Sequence, residues 1–289
     1  MSADAVAEGL LERMKRYDLV FSLGSGCGCS QSLREAGLQF ASYPFDWVGC
    51  PSLQTGVNAL TTDFEGWFES SDLKLVDVRR EPLSTKCYRN MRTGCLFVHD
   101  FPISADFKTL YPSVAERFRR RADRLLGDIG RAHSALGVYV EMPFRAVEPN
   151  EDYAKAHARL ASRFPGSGIE LLVFRHRAGS RSDVMREIVP GVWLVELDFL
   201  VLDNGEISHQ VNRRPLVAWL RRNIGIQDPR KPAEVRAYRM RVREKNAAKW
   251  GMGSTLSRAS LRLTYKLYRR LERYLVGQSL VPRERPFRF

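Results

Sequence analysis

The stretch VFSLGSGCGCSQSLREAG, residues 20–37, places Cys27 and Cys29 among Gly24, Gly26 and Gly28, where an apolar run gives way to a helical pattern. Three chemistries fit those residue types at that spacing. The first is a phosphate or nucleotide cradle, because a strand, a glycine turn and a helix N-terminus aim backbone N–H groups at an anion. The dinucleotide fingerprint GxGxxG is met at Gly24 and Gly26, but its third glycine falls on Cys29. Gly24-x-Gly26-x-Gly28 also resembles the loop of S-adenosylmethionine methyltransferases, although Ser22 stands where an acidic residue is usual. The second chemistry is a metal or redox site. Cys27 and Cys29 are too close for an unstrained bridge, and no second cysteine pair completes a zinc ligand set. No metal and no cofactor is expected. The third is a thiol nucleophile: Cys27 at the first turn of a helix, its pKa lowered by the free amides and the dipole there. Gly26 and Gly28 would leave room for substrate and for an oxyanion on backbone N–H groups.

A nucleophilic cysteine needs a base. His133 and His157 fall on charged helical stretches, His176 ends an apolar strand among basic residues, and His209 precedes the basic tail. His99 ends the strand CLFVH and is followed by Asp100, so it is the best-mounted base of the five histidines. On a regular strand Asp100 would point to the opposite face.

The segment YDLVFSLGSGCGCSQSLREAGLQFASYPFDWV resembles the opening of a bacterial family of unknown function labelled as papain-like cysteine peptidases. The resemblance is carried by Ser22-Leu23-Gly24, Cys27, Leu33-Arg34, Pro44-Phe45-Asp46-Trp47 and Val98-His99-Asp100-Phe101, about residues 17–101. It implies a thiol-dependent hydrolase or acyl transferase with Cys27 as nucleophile and His99 as base. Asp46 is ranked above Asp100 as the third catalytic group; its competing role is to cap the local turn. Gly26, Gly28 and Trp47 would bind the oxyanion and substrate. Two other readings stay open. One is a methyltransferase or nucleotide-group transferase using the glycine turn. The other is a non-catalytic binding protein recruited by its tail.

The elements that must position these residues follow from periodicity. DLVFSLG reads as a buried strand and Cys27–Ala36 as a helix stopped by Gly37. A helix is expected over 52–68, a strand at LKLVDV, and a hairpin from KCYRN and CLFVHDF around MRTG. Helices over 113–134 and 151–164 alternate with the strands GVYVEM, IELLVFR and VWLVELDFLV, with a short helix near 181–188. Helices are also expected over residues 5–15 and in PLVAWLRRNIG. The expected fold class is α/β: a mixed, mostly parallel sheet flanked by helices, with the hairpin supplying the antiparallel part.

The chain has 289 residues and a net charge of +13. Residues 211–289 hold 21 Lys and Arg against 5 Asp and Glu, while the first 210 residues hold 25 against 28. The expected organisation is an α/β domain over 1–210 and a basic helical extension over 211–289. Within the extension, residues 254–275 set Leu256, Leu263, Leu267, Leu271 and Leu275 on one helical face amid arginines. That pattern suits an anionic membrane surface more than nucleic acid. No run is long enough to cross a bilayer, and the N-terminus shows no signal-peptide pattern. The expected location is cytoplasmic, with peripheral attachment at the inner membrane surface.

Overall fold

The structure, a computed structural model, describes residues 15–24, 26–79, 84–141, 149–180, 185–203, 206–227 and 240. It is α/β. Five strands form the main sheet in the order β2 (Leu19–Ser22), β7 (Ala135–Val140), β8 (Ile169–His176), β10 (Val192–Leu197) and β9 (Met185–Val189). The first four are parallel and in register, and β9 is antiparallel at the edge.

Both faces of this sheet are apolar, as a parallel sheet requires. Leu19, Phe21, Leu23, Tyr139, Leu171, Val173 and Leu194 face one layer. There they meet α2 (Leu53–Thr61), α3 (Phe107–Arg131) and α4 (Asn150–Arg163) through Leu53, Leu60, Phe118, Leu125 and Tyr153. The alternate residues Val20, Leu136, Val138, Val140, Leu172, Phe174 and Val195 face the other layer. It is built from α1 (Cys27–Ala36) and α5 (Arg213–Asn223), with Leu33, Leu216, Trp219 and Leu220 buried. A second, fully antiparallel sheet has the order β3 (Val48–Gly49), β6 (Leu96–Pro102), β5 (Thr85–Asn90) and β4 (Leu73–Arg79). Its Tyr88, Phe97 and Phe101 join the core beneath α3. β1 (Lys15–Tyr17) pairs in parallel with β13 (Ile224–Ile226).

The chain divides into two compact units, residues 1–201 with 211–228 and residues 202–210 with 229–289. The elements above belong to the first. β11 (Leu200–Asp203) and β12 (Glu206–Val211) form a separate two-stranded sheet. No helix among the described residues is long and apolar enough to cross a membrane.

Several elements differ from expectation. The hairpin at residues 85–102 does not join the main sheet; β9 makes that sheet mixed instead. Met185–Val189, read as part of a helix, is this edge strand, and its half-exposed positions hid a strand signal. VWLVELDFLV is two strands, broken at Asp198-Phe199. The helix starting after Ser52 stops at Thr61, where Asp63 and Phe64 take left-handed backbone conformations. Of the expected helix over 5–15 only Lys15 is described, and it opens β1; the helical face expected over 254–275 lies outside the described residues.

Candidate active site

β2 delivers the chain to the glycine turn. Gly24 (φ 99°) and Gly26 (φ 129°) take backbone conformations that side chains resist, so the turn depends on glycine at both positions. Gly26 is the N-cap of α1, and Cys27, Gly28 and Cys29 are its first three residues. Their N–H groups precede the helical hydrogen-bond ladder and are available to an anion. The other end of α1 closes on Gly37 (φ 81°). The turn is seated from below: a Cβ on Gly56 of α2 would fall 2.7 Å from the carbonyl oxygen of Leu23.

Cys27 is half-buried, Cys29 fully. Burial pushes the Cys27 thiol up from its ordinary value; the Arg213 guanidinium and the residue's own amide pull it down less strongly. The expected low pKa therefore does not emerge, because desolvation of the thiolate outweighs the helix terminus. Cys29 points the other way along α1, donating its S–H to Val138 O at 3.4 Å. Its pKa is pushed up to about 12 by burial, so it is a packing thiol.

Pro44–Trp47 forms a 3₁₀ turn lying against α1. Asp46 is fully buried within it. Its carboxylate accepts from Gln39 Nε2 at 2.8 Å, from the Tyr43 N–H at 2.9 Å and from the Arg34 guanidinium of α1. Ser30 Oγ adds a bond to the Asp46 carbonyl at 2.9 Å. Asp46 thus clamps the turn to α1, which is the capping role weighed against catalysis from sequence. Trp47 then spans two elements: its ring lies 5.6 Å from the Arg34 guanidinium and edge-on to His99, with ring centroids 5.5 Å apart.

His99 stands in an irregular stretch of β6. Phe97 pairs with Tyr88 and Phe101 with Lys86, so Val98, His99 and Asp100 oppose Cys87 alone. Such bulges re-aim side chains and recur beside active sites. Burial lowers the His99 pKa from its ordinary 6.5, Asp100 raising it and Arg79 lowering it. The carboxylate that raises the His99 pKa is Asp100. Asp100 accepts from Arg117 of α3 at 2.9 Å, while its Oδ2 is buried with no hydrogen-bond partner among the described residues. Arg121 lies close enough to both aspartates that their charges raise its pKa against the larger effect of burial.

The structure joins Cys27's helix to His99 through Arg34 and Trp47. Among the described residues the groups acting on the Cys27 thiol are Arg213 and its own amide. Arg213 opens α5 and bonds Glu35 and Gln31 of α1 at 3.0 and 2.6 Å. Sequence reasoning missed it because it looked like one more basic residue of the tail. The other histidines separate clearly. His157 is tied to the Ile169 carbonyl at 2.8 Å and His133 is exposed. His176 sits at the carboxyl edge of the sheet, where its Nδ1 accepts the Phe199 N–H at 3.3 Å, 3.8 Å from Asp198.

The carboxyl ends of β2, β7, β8 and β10 lie along one edge, where open α/β sheets bind ligands. The edge carries the Cys27 turn and, past β7 and β8, the buried Glu141 paired with the partly exposed Arg175 at 2.5 Å, with Tyr153 donating to Glu141 at 2.6 Å. β2 is an edge strand and the parallel strands follow in chain order, so the glycine turn lies at no reversal of strand order. Nucleotide-binding turns of this kind sit at such a reversal.

Residues 18–136 match the model of a family described as "Putative papain-like cysteine peptidase (DUF1796)", the family label that the sequence motifs resembled. The matched span contains the glycine turn, α1, the Pro44–Trp47 turn, both β6 residues His99 and Asp100, and α3. No curated protein and no solved structure matches the chain.

Proposed function

We propose that the protein is a thiol-dependent hydrolase or acyl transferase. The observation that carries this reading is Cys27 at the first position of α1, on a glycine turn at the carboxyl edge of a parallel sheet, inside the matched span. Burial raises the Cys27 pKa and lowers that of His99, which favours a protonated thiol and a neutral imidazole at rest. Substrate binding brings the S–H proton to His99 as the sulfur attacks a carbonyl carbon. The N–H groups of Gly28 and Cys29 hold the oxyanion. His99 then returns the proton to the leaving group, leaving an acyl-thioester for water or another acceptor. Asp100 stabilises the imidazolium, and Asp46 holds the turn that carries Trp47.

The test is labelling with a panel of carbonyl-directed electrophiles, read by intact mass and peptide mapping. A single adduct on Cys27 is expected, abolished in Cys27→Ser and slowed about tenfold or more in His99→Ala. In the wild type, alkylation by iodoacetamide should still rise with pH above 9.0, the ordinary thiol value that burial exceeds. Labelling confined to other cysteines, or saturable S-adenosylmethionine binding by calorimetry with Cys27 inert, overturns the reading.

A further inference from the structure

Two cysteines outside this chemistry are brought together by the antiparallel sheet. Val48 opposes Phe97 and Gly49 opposes Leu96, so the next step of the register sets Cys50 against Cys95. Opposed residues in antiparallel strands have Cα atoms about 4.5–5.5 Å apart, within the roughly 4.4–6.8 Å that a disulfide spans. Both side chains are fully buried, and the Cys95 S–H donates to Cys50 Sγ at 3.5 Å. The sulfurs therefore already face one another and need no change of register to bond.

We propose that Cys50 and Cys95 form an oxidisable dithiol that hydrogen peroxide closes to a disulfide. One thiolate attacks a peroxide oxygen: the S–O bond forms, the O–O bond breaks, and hydroxide leaves to take up a proton. The second thiol attacks the sulfenic sulfur, the S–S bond forms, and the S–O bond breaks with loss of water. Two thiols and one peroxide give one disulfide and two waters, and a dithiol reductant reverses the change. β3 is a two-residue edge strand, so the pair opens to a small oxidant by fraying of β3 rather than of the core.

The position ties the pair to the site. A Cβ on Gly24 would lie 3.1 Å from Cys50 Sγ, so this sulfur packs directly under the turn that carries Cys27. Cys95 precedes β6, four residues before His99. The bond draws the sulfurs from 3.5 Å to about 2 Å and shifts the floor of the glycine turn. It also closes a loop between residues 45 apart, which stabilises the fold by constraining the unfolded chain. Cys27 and Cys29 do not compete as a pair, because residues two apart on a helix do not face each other.

The experiment treats full-length protein with hydrogen peroxide, quenches with iodoacetamide and maps peptides without reduction. A Cys50–Cys95 linked peptide is expected, with a melting temperature raised by several degrees and restored by dithiothreitol. Cys27→Ser should form the same link, and that variant separates this proposal from the catalytic one. Cys95→Ala should lose both the link and the thermal shift. Absence of the linked peptide from wild type oxidised in its native state overturns the proposal, as does a link formed only after denaturation or only when Cys27 is present.

Discussion

At the scale of the residue, the two aspartates near the site have opposite fates, and one pair of substitutions separates them. Asp46 has its oxygens committed to Arg34, Gln39 and the Tyr43 amide in a fully buried turn. Asp46→Asn leaves the Arg34 charge, which is 10% exposed, without its counter-ion. Breaking such a pair costs about 3 kcal/mol, read as a lower midpoint in urea, while the pH midpoint of His99 stays where it was. Asp100 pairs with Arg117, which is 39% exposed, so Asp100→Asn costs under about 1 kcal/mol. Its effect falls on His99 instead. Asp100 raises the His99 pKa, which burial holds below 6.5. Removing that charge lowers the value further, so the acid limb of Cys27 labelling against pH moves to lower pH. An acid limb that moves with Asp46→Asn and not with Asp100→Asn would return Asp46 to the third catalytic position. Sequence showed both aspartates and both motifs. It did not show their assignment, because that depends on a bulge opposite Cys87 and on two arginines of α3 that carry no local signal.

At the scale of the element, α1 was the most legible part of the chain: a glycine turn, a ten-residue pattern and Gly37 bound it as the structure does. The sheets were less legible. Alternating apolar residues reveal that a segment is a strand but not which strand it pairs with, so the 85–102 hairpin was placed in the wrong sheet. The helix least visible as part of the site is α5. Its Leu216, Trp219 and Leu220 are buried on the face that α1 also covers, and its first residue places a guanidinium close enough to lower the pKa of the Cys27 thiol. Arg213→Gln removes that attraction. Labelling of Cys27 at pH 8 should slow roughly threefold, as loss of one charge near a half-exposed group implies. Stability should change by less than about 1 kcal/mol, since the Arg213–Glu35 pair is 40% and 48% exposed. An unchanged labelling rate would show that Arg213 does not tune the thiol.

At the scale of the whole molecule, residues 211–228 belong with the fold rather than with the basic tail. Composition suggested a break at residue 210, yet α5 packs Trp219 against Phe174 with ring centroids 5.4 Å apart, and β13 pairs with β1. Moving the boundary to residue 228 sharpens the electrostatics. Residues 229–289 hold 17 Lys and Arg against 4 Asp and Glu, and residues 1–228 hold 29 of each. The whole excess therefore belongs to the last 61 residues, which include the leucine- and arginine-rich stretch 254–275 proposed to meet an anionic bilayer. Each basic residue near such a surface contributes about 1 kcal/mol, reduced by salt. Three chains test boundary and partner together. One ending at residue 228 should melt cooperatively and stay in solution when mixed with phosphatidylserine vesicles and floated on a density gradient. One ending at residue 210 loses Leu216, Trp219 and Leu220 from the core and should not melt cooperatively, since deleting a buried aromatic alone costs about 3–5 kcal/mol. The full chain should float with these vesicles at low salt and dissociate at high salt. Flotation of the 228-residue chain would place the membrane contact on the body, and a full chain that stays in solution at low salt while binding mixed RNA would replace the bilayer with nucleic acid.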